Sequence, residues 1–312
     1  MKVVYMGTPA FAVPSLEALI KHHEVLGVLT QPDRPAGRGN KLTQSPVKVT
    51  ALAHNIPVYQ PENLRLENSR ELRATLKALG ADIFVVAAYG IILPKGILNM
   101  APLGCINVHG SILPKYRGAS PIHGALLNGD TTTGITIIHM DSGIDTGDMI
   151  VKHSLDILPG ERFPSLHDRM ADLGAVALLD AMGQLAAGTA PREVQDDGLS
   201  CYAPMLKKSD GHINWHWESQ RIVNMVNAFD PWPGAYAMYG DAPLKVWGLE
   251  MGESAGDEAP GTVLQVDPGK GVLVKTGDGA LWITELQGGG SKRMLATDYL
   301  RGRSVDVGAL LG

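Results

Sequence analysis

The chain has 312 residues, of which 45% are hydrophobic and 19% are charged. This balance excludes a disordered or fibrous protein, and the length allows two domains with sizeable cores. The formal net charge of −5 excludes a protein that coats nucleic acid through overall positive charge, although a local basic site stays possible. Two cysteines are too few for a disulfide framework or a cysteine-type zinc site, so we expect a protein of the reducing cytoplasm.

Neither an export signal nor a membrane span is predicted. Gly, Thr and Pro interrupt the apolar opening MKVVYMGTPAF after a few residues, which is not typical of a signal peptide. The longest apolar run, residues 83–93, is too short to cross a bilayer.

The first part of the chain alternates β-branched runs with segments of helical spacing. Strands are predicted at Val3–Tyr5, Val25–Leu29, Ile83–Ala88, Ile106–His109 and Ile135–His139. Helices with an N-terminal serine cap are predicted at Ser45–His54, Ser69–Leu79 and Ser120–Leu127. The alternation predicts an α/β, Rossmann-like domain with a mostly parallel sheet and helices on both faces. Such sheets bind ligands beyond the carboxyl ends of their strands.

The last third of the chain has a different pattern. A long amphipathic helix, Leu166–Leu185, is followed by a polar segment rich in Pro and Gly, which predicts a linker. All five tryptophans lie beyond it, which suggests a second core. A helix (Ser219–Phe229) and five short strands predict a small β-barrel, of which the OB type is one option. These strands are Ala235–Tyr239, Leu244–Leu249, Thr262–Val266, Val272–Lys275 and Leu281–Leu286. The predicted domains are therefore residues 1–188 and 206–312, joined by a linker over 189–205.

Two glycine-containing segments resemble nucleotide-binding loops only superficially. MGTPAF follows a strand and could begin a helix with Thr8 as N-cap and Pro9 in the first turn, but it lacks the dinucleotide pattern G-x-G-x-x-G. PAGRGNKLT lacks the spacing of a phosphate-binding loop. Neither a dinucleotide nor a nucleoside triphosphate is predicted.

The segment Gln31–Lys48 is basic within an acidic protein. Its Pro and Gly content predicts a long surface loop. Such a loop is either a solvated surface or a flexible contact to a phosphate-rich partner. Its basic residues are Arg34, Arg38, Lys41 and Lys48, against the single acidic residue Asp33.

The strongest indication of chemistry is the segment 104–130. Asn107 and His109 are two residues apart at the end of a predicted strand, so their side chains point to the same face. With a nearby carboxylate, this pair could stabilise an oxyanion and move a proton. Asp141, Asp145 and Asp148 follow in MDSGIDTGDM, and their order does not decide which one is the partner. A metal-binding loop is the alternative, but the spacing lacks the alternating oxygen ligands of a calcium loop.

Three segments together resemble the formyltransferase family that uses 10-formyltetrahydrofolate. They are NVHGSILPKYRG, the later DSGIDTGDM and the preceding AAYGIILP. The order Asn-x-His, Ser-Ile-Leu-Pro and a later Asp is highly specific. VQDDGLSCYAPMLKKSDGHINW and AFDPWPGAY extend the likeness almost end to end with the branch of the family that formylates methionine on initiator tRNA.

The resemblance implies a formyltransferase fold followed by an OB-like tRNA-binding domain. It implies Asn107, His109 and Asp145 as the catalytic trio and 10-formyltetrahydrofolate, without a metal, as the formyl donor. The expected folate-binding residues are Tyr89, Gly90, Ile91, Ile92, Leu93, Ser111, Ile112, Leu113, Pro114 and Asp141. The expected tRNA-binding residues are Arg34, Arg38, Lys41, Lys207 and Lys208.

Alternative functions stay open at this stage. An amino-sugar nucleotide could be the acceptor instead, although the basic loop would then have no obvious use. A hydrolase that releases formate, or an RNA-binding protein with a vestigial folate pocket, are further possibilities. We expect a monomer that binds methionyl-initiator tRNA. Residues 206–312 contain 10 Lys and Arg against 13 Asp and Glu, so tRNA binding there has to depend on local clusters.

Overall fold

The computed structural model of the protein describes residues 1–36, 41–64, 69–253 and 256–312 and contains two compact units. The first unit comprises Met1–Pro121, Thr132–Asp156 and His167–Ala203. The second comprises Ile122–Thr131, Ile157–Leu166 and Pro204–Gly312. Two segments that precede residue 188 therefore group with the C-terminal part of the chain.

The first unit is built on a seven-stranded sheet and a separate hairpin. Its strands are β1 (Lys2–Gly7), β2 (Glu24–Leu29), β3 (Arg34–Ala36), β4 (Lys41–Thr43), β5 (Val58–Tyr59), β6 (Ile83–Ala87), β7 (Cys105–His109), β8 (Thr132–His139) and β9 (Met149–Asp156). The large sheet has the order β5-β2-β1-β6-β7-β8-β9. Pairing is parallel from β5 to β7 and antiparallel for β8 and β9. The predicted α/β fold with a mostly parallel sheet is confirmed.

The described residues form helices at the five predicted positions and three further helices at residues 13–22, 95–98 and 296–300. They are α1 (Val13–His22), α2 (Pro46–Ala53), α3 (Arg70–Ala78), α4 (Lys95–Leu98), α5 (Pro121–Asn128), α6 (Phe163–Ala187), α7 (Ser219–Ala228) and α8 (Ala296–Leu300). Ser45 caps α2 as predicted, because its hydroxyl accepts a hydrogen bond from the Lys48 N–H at 3.1 Å. The prediction of Thr8 as an N-cap was wrong: α1 begins only at Val13, and the Thr8 hydroxyl donates to the Tyr89 carbonyl at 3.1 Å.

Helix α6 has a buried stripe in the first unit. Met170, Ala177, Leu178 and Met182 are all fully buried at helical spacing. A Cβ added at Gly174 would lie 3.1 Å from Val108 of β7, so the absence of a side chain lets the helix approach the sheet closely. By length and composition alone α6 could also cross a membrane, a criterion that core helices of soluble proteins meet too.

The second unit contains an antiparallel sheet. Its strands are β10 (Tyr236–Tyr239), β11 (Ala242–Gly252), β12 (Val263–Asp267), β13 (Gly271–Lys275), β14 (Ala280–Gln287) and β15 (Met294–Leu295). The order is β10-β11-β14-β13-β12, and β15 pairs with β14. Leu311 bridges Tyr239 next to one edge, and Leu310 bridges Thr262 next to the other. The chain end thus links the two edges of the sheet, as a small barrel requires.

The tryptophans divide between the core and the surface of this unit. Trp215, Trp247 and Trp282 are buried, whereas Trp232 is 52% exposed. Three of the five tryptophans on which the prediction of a second core rested are therefore core residues of this unit.

Two elements of the first unit differ from the sequence predictions. The segment Gln31–Lys48 is not an unstructured loop, because its described residues include the hairpin of β3 and β4 and the start of α2. Strand β9 was not predicted, although its residues alternate between half-buried and exposed from Val151 onward. Lys48 forms an ion pair with Asp33 at 2.7 Å, so the single acidic residue of this segment neutralises one of its basic residues.

Candidate functional site

The candidate site lies where β6 and β7 end. These strands are parallel neighbours, and Val86 pairs with Asn107 in their register. Asn107 and His109 project from the same face of β7, as the two-residue spacing predicts. The turn that follows β6 at Ala87 is therefore next to Asn107. This is the carboxyl edge at which parallel α/β sheets bind ligands.

The structure selects one aspartate from the three candidates. Asp145 Oδ1 lies 3.4 Å from Asn107 Nδ2, and Asp145 Oδ2 lies 3.5 Å from His109 Nδ1. Asp141 instead accepts a hydrogen bond from the Thr146 hydroxyl at 2.8 Å, and Asp148 pairs with Arg192 at 3.3 Å. The order of the three aspartates left this choice open, and the proximity favours Asp145, the residue that the resemblance implies.

The imidazole of His109 is buried and held at both nitrogens. Its Nε2 lies 2.9 Å from the Tyr116 carbonyl, which can only accept, so Nε2 carries a hydrogen. Its Nδ1 lies 3.5 Å from Asp145 Oδ2, so the carboxylate faces the second nitrogen of the ring.

Backbone groups around these side chains adopt unusual conformations. Four non-glycine residues of the described ranges have a positive φ, and three of them flank the site: Ala88 at 45°, Tyr116 at 59° and Asp145 at 54°. Such residues cost free energy and often cluster at functional sites. At Asp145, a hydrogen bond of 2.9 Å from the Gly118 N–H to Oδ2 offsets part of the cost of this backbone conformation.

The predicted folate residues after β6 form an ordered turn. The Tyr89 carbonyl accepts hydrogen bonds from the Thr8 hydroxyl and from Gln31 Nε2 at 3.0 Å. Gly90 has a φ of 76°, which favours glycine, and a Cβ there would displace the Gln31 amide from its contact with the Tyr89 carbonyl. Tyr89 and Leu93 are buried, Ile91 is half-buried and Ile92 is 92% exposed. Burial raises the pKa of the Tyr89 phenol.

The second predicted folate segment, Ser111–Pro114, is fixed by a buried hydroxyl. Thr136 on β8 donates to the Ser111 carbonyl at 2.7 Å and accepts from the Leu113 N–H at 3.0 Å. Ser111 also donates to the Lys115 carbonyl. Ser111 and Leu113 are buried, whereas Ile112 and Pro114 are partly exposed. Asp141 is exposed, and its carboxylate accepts hydrogen bonds from the Gly143 N–H and from the Thr146 hydroxyl.

The predicted tRNA-binding residues are divided between the two units. Arg34 is exposed at the start of β3, and Lys41 begins β4. Arg38 lies outside the described residues. Lys207 and Lys208 are exposed in the second unit, where the Lys207 N–H donates to Asp210 at 2.7 Å. Among residues 1–36, 41–64, 69–253 and 256–312, no three His, Cys, Asp or Glu side chains form a group suited to a metal ion.

Sequence reasoning did not identify the residues that hold the trio. Tyr116 and Gly118 lie within the quoted motif NVHGSILPKYRG, but nothing in their type indicates contacts to His109 and Asp145. Gln195 was not predicted as a site residue either, although its amide donates to the Asp145 carbonyl at 2.8 Å. Such contacts join residues 27 and 50 positions apart in the chain, and no local periodicity reports them.

Comparison with known proteins agrees with the fold. The model of the formyl transferase family matches residues 1–182, and the model of the formyl transferase C-terminal domain matches residues 205–304. The chain is 48% identical to the methionyl-tRNA formyltransferase of Geobacter metallireducens, over 100% of this chain and 99% of that one.

Solved structures of distant sequence share the fold. The sugar 3N-formyl transferase WlaRD, crystallised in the presence of dTDP and 5-N-formyl-THF, superimposes with a TM-score of 0.66 at 19% identity, covering 94% of this chain and 99% of that one. A methionyl-tRNA formyltransferase from Clostridium thermocellum gives a TM-score of 0.54 at 18% identity, covering 81% and 94%. The two family models and the full-length relative show that the chain belongs to the formyl transferase family.

Proposed function

We propose that the protein transfers the formyl group of 10-formyltetrahydrofolate to the α-amino group of methionyl-initiator tRNA, which yields N-formylmethionyl-tRNA for translation initiation. The full-length identity of 48% to a protein of that activity carries the proposal. The convergence of Asn107, His109 and Asp145 supports it, because formyl transfer needs hydrogen-bond donors for an oxyanion and a route for one proton.

The acceptor amine supplies the nucleophile in this reaction. An α-amino group titrates at about 7.7–8.0, so a useful fraction is unprotonated near neutral pH and no activated side-chain nucleophile is needed. Asn107 Nδ2 and the Nδ1 edge of His109 would donate to the oxyanion that develops on the formyl oxygen. Asp145 would orient the imidazole and draw off the amine proton through water, and the bond between the formyl carbon and N10 of the folate would break as N10 leaves with one proton. The 3.4 and 3.5 Å contacts are loose enough for Asn107 and His109 to turn toward a substrate.

The folate donor would lie between the segments Tyr89–Leu93, Ser111–Pro114 and Asp141–Asp145. Two exposed isoleucines on these segments fit a flat heterocycle: Ile92 is 92% exposed and Ile144 is 61% exposed. Apolar side chains that lie in solvent beside polar backbone groups are typical of ligand sites. Bound there, the donor supplies the activated formyl group, while the turns provide the surrounding backbone hydrogen-bonding groups.

The tRNA would contact basic residues of both units. Arg34 on β3 and Lys41 on β4 would reach the acceptor end, together with Arg38, which lies outside the described residues. We assign residues 1–188 to catalysis, 189–205 to the linker and 206–312 to an OB-like tRNA-binding domain. The protein would act in the cytoplasm as a monomer. Lys207 and Lys208 are better candidates than Arg293, whose guanidinium is paired with Glu285 and Asp230.

An acceptor panel tests the reaction. The protein is incubated with 10-formyltetrahydrofolate and, in separate reactions, methionyl-initiator tRNA, uncharged tRNA and an amino-sugar nucleotide. We expect formylation of the methionyl-tRNA alone. Formylation confined to the sugar would overturn the proposal, and formate release without any acceptor would indicate a hydrolase.

The same assay tests the lysine pair in the second unit. The double variant Lys207→Ala/Lys208→Ala should raise KM for methionyl-tRNA and reduce its salt dependence, because two phosphate contacts are lost. KM for the folate donor should not change. Lys77→Ala, an exposed lysine on α3, is the control, and an equal rise in KM there would contradict a specific role.

A further inference from the structure

The segment Glu193–Ala203 holds the backbone around the catalytic trio. Glu193 pairs with Met149 through two backbone hydrogen bonds of 2.8 and 3.1 Å. Cys201 accepts at its carbonyl from the Arg117 N–H at 2.9 Å, and the Ala203 N–H donates to the Arg117 carbonyl at 2.7 Å. This segment therefore contacts both the start of β9, which follows the loop that carries Asp145, and the loop after β7, which contacts His109.

Gln195 connects these two loops through its side-chain amide. Its Nε2 donates to the carbonyls of Asp145 and Gly147, each at 2.8 Å, and its Oε1 accepts from Arg117 Nε at 3.0 Å. Two carbonyls can only accept and a guanidinium can only donate, so the orientation of the amide is dictated by its partners. Gln195 is 7% exposed, and its two amide hydrogens are both in use.

The carbonyl that Gln195 binds belongs to a residue in a costly conformation. Asp145 has a φ of 54°, which is uncommon for any residue other than glycine, although Asp tolerates it better than most. A hydrogen bond to the carbonyl of that residue fixes the peptide plane that follows it. The same backbone conformation directs the Asp145 carboxylate at the Gly118 N–H and at His109 Nδ1.

Arg117 extends the connection to the other side of the trio. Its Nε is bound by Gln195, its Nη2 pairs with Asp197 at 2.7 Å, and its neighbours Tyr116 and Gly118 contact His109 and Asp145. A displacement of the Gln195 amide therefore disturbs both partners of the His109–Asp145 contact together.

We propose that Gln195 is a positioning residue for formyl transfer, which holds Asp145 in its left-handed conformation and aligns its carboxylate with His109. This inference depends on the proposed function. It predicts that loss of the two donated hydrogen bonds lowers kcat, while binding of either substrate is retained, because Gln195 acts through Asp145 rather than through a substrate.

The isosteric variant Gln195→Glu provides the sharpest test. It keeps the size of the side chain and an oxygen for Arg117, but it places an oxygen against the two carbonyls that need a donor. A misplacement of a reacting group by about 1 Å can cost about 10²-fold in rate, so we expect kcat to fall roughly 10- to 100-fold. KM for methionyl-tRNA and for the folate donor should stay within about twofold of the wild type.

Two further variants keep the test decisive. Gln184→Glu makes the same chemical change on the surface of α6, where the amide donates only to Asp180, and should leave kcat unchanged. If Gln195→Glu does not yield folded protein, Gln195→Met, which removes the donors without adding charge, takes its place. Folding is checked by the thermal unfolding midpoint and by calorimetric binding of the folate donor.

The outcomes separate this inference from the proposed function. Wild-type protein that formylates no acceptor refutes the proposed function, whatever the variants do. Active wild type with an unchanged kcat in the Gln195 variant refutes the positioning role. A parallel rise in both KM values with kcat retained would also refute it, since that pattern indicates a damaged binding site rather than a misaligned trio.

Discussion

The two units each contain a cluster of charged and polar side chains, and the clusters differ in how completely their hydrogen bonds are satisfied. In the second unit, Arg293 donates to Glu285 at 2.6 and 2.9 Å and to Asp230 at 2.9 and 3.0 Å, while Arg162 donates to both carboxylates at 3.2 and 3.3 Å. Two guanidinium groups thus neutralise two carboxylates. In the first unit, the Asp145 carboxylate makes one short hydrogen bond, to the Gly118 N–H, and two looser contacts.

This difference distinguishes a structural cluster from a reactive one. A network in which each charge already has partners at short distances gains nothing from a ligand, and removal of one member leaves buried charge uncompensated. A carboxylate held by its backbone neighbours, with side-chain partners at 3.4 and 3.5 Å, keeps hydrogen-bonding capacity for a substrate. Changes in the Asp145 cluster of the first unit should therefore affect turnover, whereas changes in the Arg293–Glu285 cluster of the second unit should affect stability.

The largest effect is expected from His109→Ala. Loss of one oxyanion donor typically costs about 10²–10³ in rate, and we expect turnover to fall by that factor while folate binding is retained. Initial rates with methionyl-tRNA and calorimetric donor binding provide the measurement. His153→Ala is the matched control, because His153 on β9 pairs with Asp180 outside the site. Near-normal turnover of His109→Ala would refute the catalytic assignment.

A somewhat smaller effect is expected from Asp145→Asn. Asparagine tolerates a positive φ and offers an oxygen to the Gly118 N–H, so the variant removes the charge while keeping the backbone. Acid–base catalysis contributes at least about 10²-fold, and we expect a loss near that value in kcat. Asp148→Asn should retain wild-type rates, because Asp148 pairs with Arg192 instead. Equal losses in the two variants would remove the distinction between these aspartates.

The part of the site that follows strand periodicity was predictable from sequence. Asn107 and His109 needed only the recognition that residues two apart on a strand share a face. The choice of Asp145 was not predictable in the same way, because it depends on the path of the loop before β9 and on a hydrogen bond from Gly118. Gln195 lies 50 residues beyond Asp145, so its role depends on tertiary structure alone.

The fold shows a similar division. Strands β1, β6, β7 and β8 have β-branched runs that report their positions directly. The β3–β4 hairpin was predicted as a loop, because Pro and Gly recur through the segment Gln31–Lys48 and the two strands have only three residues each. Thr8 has the residue type of an N-cap, but its hydroxyl is bound to the Tyr89 carbonyl 81 residues away, so a long-range contact prevails over a local preference.

The smallest predicted effect tests the other half of the comparison and concerns stability alone. The hydrogen bonds from Arg293, which outweigh the opposing effect of burial, hold the pKa of Glu285 below the ordinary glutamate value of 4.5. A carboxyl group whose pKa is depressed on folding stabilises the protein above its unfolded-state pKa and loses that contribution as the pH falls through the folded-state pKa. Glu285→Gln should therefore lower the free energy of unfolding at pH 7, and the difference from wild type should shrink below about pH 4.5.

Urea unfolding at pH 7 and at successively lower pH measures this difference in the free energy of unfolding. The kcat at pH 7 should stay at the wild-type value, because Glu285 is not part of the candidate site. A difference that is independent of pH would show that Glu285 contributes by packing rather than by charge, and a loss of kcat without loss of stability would reverse the distinction drawn between the two clusters.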